Sequence, residues 1–320
     1  MIQARRIAGA VLAVAGLAVF GWYVARHLQL ELLRPHLTPR AAVALLLSAI
    51  AYATTVPLAA VAWKRLLSTM RIAASFRRLC AIQMTTQIGK YLPGNVGHLI
   101  GRSALAMRSG LPAGAVANTM VVEVLLLLAT GVVVAVATAA LSQPGLAQLR
   151  MHGTTLALVA VACVAGIAVL PFANRWLLRF VARIAPQAAS LRTAPMQLRP
   201  ADLALVIALY AGAYLANGLS AAIIARGLWP DAIPDIALLT AAFAVAWVAG
   251  FVTPGAPAGI GIREALLVLM LGPAMGASSA TLLVLALRLA TILGDILSFL
   301  VGTTLLSRSD RDFSPSQDVG

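Results

Sequence analysis

Seven charged residues fall where the chain is otherwise apolar, and two of them occupy matching places. Arg102 lies nine positions after Pro93 of a Pro93-Gly94 pair, and Arg263 lies nine after Pro254 of a Pro254-Gly255 pair. A guanidinium is a planar fork of donors that matches an anionic phosphate in two bonds at once. If each arginine opens a half-helix, free backbone N–H groups there add to the attraction. Lys90 adds a point charge at the mouth of the first of these segments. Glu123 lies six residues into a long apolar run, Glu264 follows Arg263, and Arg288 and Asp295 stand seven apart in the last run. Ionisable side chains inside a bilayer are costly, so each is a candidate for function. The acids could neutralise Arg102, Arg263 and Arg288, or receive an ammonium. The competing reading is that these are buried pairs that only fix helix packing. Gln83, Gln87 and Lys90 share one helical face, as do Tyr210, Tyr214 and Asn217. Either stripe could wet a headgroup path or simply bond helices together. His98, four residues before Arg102, reads as structural.

Other chemistries find little support. Cys80 and Cys163 have no His or Cys neighbours at metal-ligand spacing, and the four histidines form no phosphatase pattern. No metal or cofactor is expected. The net charge is +14, yet its basic residues cluster in connections between apolar runs. That is the distribution of the positive-inside rule, so membrane phospholipids are the expected partners and nucleic acid is not.

The elements that must position these residues are membrane helices. The chain of 320 residues is 61% hydrophobic and 11% charged, with a mean hydropathy of +0.93. Ile7–Ala25, Ala41–Trp63, Gly153–Asn174, Leu203–Ala225 and Ile236–Ile262 contain no Asp, Glu, Lys or Arg. A helix needs about 20 apolar residues to cross the hydrocarbon. Gly and Pro interrupt the chain at Gly89–Gly94 and Thr253–Pro257. A broken backbone at membrane depth is tolerated only inside protein or beside water.

A full span precedes each break and another follows it, at about 41–63 and 117–140, then 203–225 and 279–306. The basic connections Lys64–Arg78 and Arg175–Arg199 should be cytoplasmic, and the acidic connection Arg226–Asp235 outside. The broken hairpins then enter from opposite sides. The expected fold is an all-α polytopic membrane protein, with about six full spans and two re-entrant broken hairpins in an inverted repeat. One transmembrane domain should cover 1–306, with repeat one at about 41–140 and repeat two at about 202–306. A short polar tail at 307–320 follows. Both termini should be cytoplasmic, in the inner membrane. Arg175, Arg179 and Arg183 read either as one face of an amphipathic surface helix or as a solvated linker.

Lys90-Tyr91-Leu92-Pro93-Gly94, then Gly101-Arg102, Arg108-Ser109-Gly110-Leu111 and Glu123, resemble the lysylphosphatidylglycerol synthase transmembrane region, a flippase-like family. Pro254-Gly255 through Gly259-Ile260-Gly261-Ile262-Arg263-Glu264 is similar to its second signature, Pro-Gly-Gly-x-Gly-x-Arg-Glu. Ala256-Pro257-Ala258 departs from that pattern by a short insertion. The resemblance implies translocation of a lipid with an anionic phosphate, such as aminoacylated phosphatidylglycerol. In bifunctional members a separate soluble C-terminal domain performs the aminoacyl transfer, and this chain ends at Gly320. It is therefore not expected to be an enzyme itself. The alternatives are a membrane-embedded lipid-modifying enzyme, or an accessory subunit beside a separate lipid-modifying enzyme of, for example, a hopanoid or glycolipid pathway.

Overall fold

The computed structural model describes residues 38–91, 97–145, 196–231, 235–253 and 257–311, with isolated residues between 147 and 169. Pro93, Gly94, Pro254 and Gly255 lie outside the described residues. So do the run Ile7–Ala25, most of Gly153–Asn174, the basic stretch Arg175–Arg183 and the end of the tail.

Among the described residues the secondary structure is helical. Helix α1 (Pro39–Ala53) and α2 (Thr55–Ser68) form the first span. Thr38 caps α1, its Oγ1 accepting from Ala41 N at 3.1 Å, and Pro39 supplies a φ suited to the first turn. The hydroxyls of Thr54 and Thr55 donate back to the carbonyls of Ala51 and Tyr52. Pro57 cannot donate to the helix ladder. Together they divide the span at Thr54. Helix α3 (Phe76–Thr86), a 3-10 turn (Gln87–Tyr91) and α4 (Gly97–Arg108) make the first broken hairpin. The long α5 (Ala113–Ala140) follows. The same order then recurs. Helix α6 (Pro200–Leu228) is a span, α7 (Ile236–Val252) and α8 (Ile262–Met275) flank a 3-10 turn (Pro257–Gly259), and α9 (Ala277–Arg311) closes the series.

Length decides which helices can cross. Pro39–Ser68, Ala113–Ala140, Pro200–Leu228 and Ala277–Ser307 are long and apolar enough. The hairpin arms have 11, 12, 17 and 14 residues. At about 1.5 Å per residue these reach roughly 17–26 Å, short of the ~30 Å hydrocarbon. Their lengths are those of re-entrant arms rather than of the four long helices. Leu46, Leu47, Ile100, Leu269 and Leu300 point outward, as a lipid-facing surface requires.

Residue pairings fix the relative direction of the repeats. Arg65 pairs with Asp202, Leu58 lies beside Gly212, Ser48 Oγ meets Ser220 Oγ at 2.6 Å, and Ala44 abuts Gly227. One set of numbers falls as the other rises, so the two first spans are antiparallel and the repeats are inverted. The final spans exchange partners in the same way. On α9, Asp295 meets Lys90 while Gly302 lies against Met84 and Thr85 of α3. On α5, Gly131 lies against Val248 of α7, and Val134 and Ala135 pack with Ala244. Each final span thus runs antiparallel to the first arm of the other repeat's hairpin. This exchange brings the two 3-10 turns into contact.

Two buried clusters hold the arrangement. Trp63, Leu66, Leu67, Val122, Leu126, Val206 and Tyr210 form one, between α2, α5 and α6. Ala242, Phe243, Leu267, Val268, Leu283 and Ala290 belong to the other, between α7, α8 and α9. Within the first hairpin the arms cross at Gly89. A Cβ there would sit 2.8 Å from the backbone of Gly97 and His98, so only glycine allows the crossing.

Candidate functional site

The junction of the two broken hairpins encloses a cavity with about 160 Å³ open to water-sized molecules. Lys90, Arg102, Glu123 and Arg263 all line it, so residues from both repeats converge on one space. Gln83, Gln87, His98, Tyr210, Tyr214 and Asn217 also line it. Both polar stripes seen in the sequence therefore face the same volume. Glu264, Arg288 and Asp295 are not among its lining residues but hold the elements around it.

The charges form three pairs. Arg102 donates to Glu123 through both arms of its fork, Nη1 to Oε1 at 2.7 Å and Nη2 to Oε2 at 2.5 Å. Both residues are 7% exposed. The guanidinium carbon lies 3.9 Å from the centre of the Trp63 ring. That indole is fixed in turn, donating from Nε1 to Thr119 Oγ1 at 3.0 Å. Lys90 Nζ donates to Asp295 Oδ1 and to the Tyr52 hydroxyl, each at 2.7 Å. Tyr91 completes the group, its hydroxyl donating to Asp295 Oδ2 at 2.6 Å. Asp295 is 1% exposed and stands near the middle of the 35-residue α9. The first break is thus latched to the middle of a span from the other repeat. Arg288 meets Glu264 at 3.2 Å. The second oxygen of Glu264 accepts from Gly261 N at 2.7 Å and caps α8.

Arg263 stands apart. It makes no ion pair among the described residues, and its Nε is buried without a hydrogen-bond partner. Its stem is clamped between Gly250 and Gly259, where an added Cβ would come within 2.7 Å of it. Its guanidinium lies 5.5 Å from the Trp247 ring centre, and Trp247 stacks on Phe251. It is the second residue of α8, with Ala258, Gly259 and Gly261 in left-handed conformation just before it. Alanine at φ 51° costs about 1 kcal/mol, a cost the turn before α8 carries.

This corrects the expectation of two equivalent arginines. Arg102 sits in the second turn of α4, not at its opening, and its fork is already occupied by Glu123. Arg263 alone combines a helix start with an unpaired guanidinium. The cause lies in the final spans. A left-handed glycine precedes each, Gly110 at φ 84° and Gly276 at φ 85°. Glu123 comes thirteen residues after Gly110, whereas Leu289 stands thirteen after Gly276, so the second final span brings no carboxylate to the corresponding place. The charged residue beside it, Arg288, pairs with Glu264 instead. Tyr52, Trp63, Trp247 and Phe251 were not singled out from the sequence. Their signal was weak, because aromatic residues inside apolar runs are usually packing.

The family described as lysylphosphatidylglycerol synthase TM region matches residues 7–298. The chain belongs to that family. The match spans both broken hairpins and every charged residue named above. The family is defined by a membrane region, in keeping with four long apolar helices and a lipid-facing exterior. No curated protein matches the chain.

Proposed function

We propose that the protein carries a lipid with an anionic phosphate from one leaflet to the other, holding the phosphate at Arg263. The observation that supports this best is the unpaired Arg263 on a cavity shared by two inverted, broken hairpins. Arg263 is half-buried with its Nε enclosed; a charge drawn from water without a partner is unfavourable, and an incoming anion relieves it. Lys90 and Arg102 add positive potential to the same cavity but are already matched by Asp295 and Glu123. Transport then needs the two repeats to rock about the antiparallel first spans, which exposes the cavity to each side in turn.

In this reading the protein makes and breaks no covalent bond. It works in the inner membrane with both termini cytoplasmic, alone or beside a separate lipid-modifying enzyme. The test is exchange of a fluorescent phosphatidylglycerol between leaflets of vesicles that hold the purified protein. Faster exchange than in empty vesicles, reduced at least about tenfold by Arg263→Met, is the expected result. Exchange no faster than in empty vesicles would rule out translocation.

A further inference from the structure

The charge balance of the interior reaches beyond the phosphate to the rest of the headgroup. Four cations, Lys90, Arg102, Arg263 and Arg288, face three acids, Glu123, Glu264 and Asp295. All three acids are engaged, with Arg102, Arg288 and Lys90 respectively. Among the described residues, the other acids are Asp202 at the head of α6, Asp231 and Asp235 before α7, and Asp310 at the end of α9. The apolar run Gly153–Asn174 adds none. Among the described residues the interior therefore has one excess positive charge and no free carboxylate to receive an ammonium.

The neutral polar groups give the second observation. Gln83, Tyr210 and Asn217 line the cavity at 3%, 1% and 7% exposure. Both ends of the Gln83 amide, the Tyr210 hydroxyl and Asn217 Oδ1 are buried without partners. Asn217 Nδ2 is already used, donating to Ala213 O at 2.8 Å. Buried polar groups are nearly always hydrogen-bonded in native proteins. These are mixed donors and acceptors, and such a set matches hydroxyls, which both donate and accept. An ammonium only donates, so it would leave the amide N–H groups of Gln83 unmet and face the excess positive charge as well.

We infer that the lipid taken by this cavity is a mono-anionic phosphodiester whose headgroup carries hydroxyls and no amine. This rests on the proposed phosphate site at Arg263 and narrows what that site accepts. An aminoacylated lipid, with its added ammonium, is selected against on this account.

The test is lipid retention by the purified full-length protein in detergent, read by native mass spectrometry. Phosphatidylglycerol, phosphatidylethanolamine and lysyl-phosphatidylglycerol are supplied in equal amounts. Phosphatidylglycerol should be retained at least about tenfold over either amine lipid, the order of effect of one unit charge in a poorly solvated cavity. Gln83→Glu places a carboxylate at the orphaned amide with little change of shape. It should erase that preference and raise retention of the amine lipids. Gln87→Glu, on the same cavity wall, is the second variant, used if the first does not fold. Equal or better retention of lysyl-phosphatidylglycerol by the unaltered protein would overturn the inference. So would retention of no lipid, or an unchanged preference in a folded carboxylate variant. Retention of phosphatidylglycerol without leaflet exchange would defeat translocation and leave this inference standing. Exchange of all three lipids at one rate, with no selective retention, would do the reverse.

Discussion

Replacing each repeat-related arginine by methionine should have very unequal effects on stability. Arg102→Met leaves the Glu123 carboxylate at 7% exposure with both of its hydrogen bonds gone. It also removes the cation from the face of Trp63. Breaking one side of a buried pair costs about 3–5 kcal/mol, because the remaining charge is uncompensated. The cation–π contact adds about 1 kcal/mol. Arg263→Met removes a charge that has no partner, and methionine fills the slot between Gly250 and Gly259 with a similar flexible stem. Its stability should change by less than about 1 kcal/mol, with either sign. The assay is reversible unfolding in mixed micelles, followed by tryptophan fluorescence. The double variant Arg102→Met/Glu123→Leu closes the cycle and should recover most of the loss, since an apolar pair of similar volume replaces a buried ion pair at little cost. Equal destabilisation by Arg102→Met and Arg263→Met would refute the asymmetry argued here. So would a double variant no more stable than Arg102→Met alone.

Further outcomes follow from the same contacts. Asp295→Asn weakens the bond to Lys90 and the Tyr91 contact that latch the first break to α9; faster amide exchange at Gln87–Tyr91 is expected, with α5 unaffected. Gly250→Ala puts a Cβ within 2.7 Å of the Arg263 stem; phosphate-lipid retention should fall at least about tenfold, while unfolding shifts by about 1–3 kcal/mol. Arg65→Ala removes a half-exposed cation from the buried Asp202 carboxylate, which still accepts from Arg199 N; the loss of stability should be about 1–3 kcal/mol, below that of Arg102→Met.

Much of the architecture is legible in the sequence because it follows from composition along the chain. Uncharged runs mark spans, and the nine-residue spacing from Pro93 to Arg102 and from Pro254 to Arg263 marks the repeat. The opposite sense of the repeats follows from where the basic connections lie, and the pairing of Arg65 with Asp202 and Ala44 with Gly227 agrees with it. The partners of the charges are much harder to read. Lys90 and Asp295 are 205 positions apart, and only the exchange of final spans between hairpins brings them together. Adjacency misleads at Arg263-Glu264, because neighbours on a helix point apart. Glu264 turns instead to cap α8 and meet Arg288. The lack of a carboxylate at the matching place in the second final span, where Leu289 stands, can be counted from Gly110 and Gly276. That count needs the left-handed glycines as origin, and sequence alone does not single them out. Spacing from proline treats Arg102 and Arg263 as equals, whereas their helices begin at different distances before them.

The central claim is that a lipid phosphate rests on Arg263. Solid-state magnetic resonance of the protein in phosphatidylglycerol bilayers, with isotope-labelled arginine side-chain nitrogens, reads that contact as a dipolar coupling to lipid phosphorus. The account predicts a coupling at hydrogen-bond range that disappears in Arg263→Met and survives in Asp295→Asn. An arginine–phosphorus coupling of equal strength in Arg263→Met would place the phosphate elsewhere and contradict it.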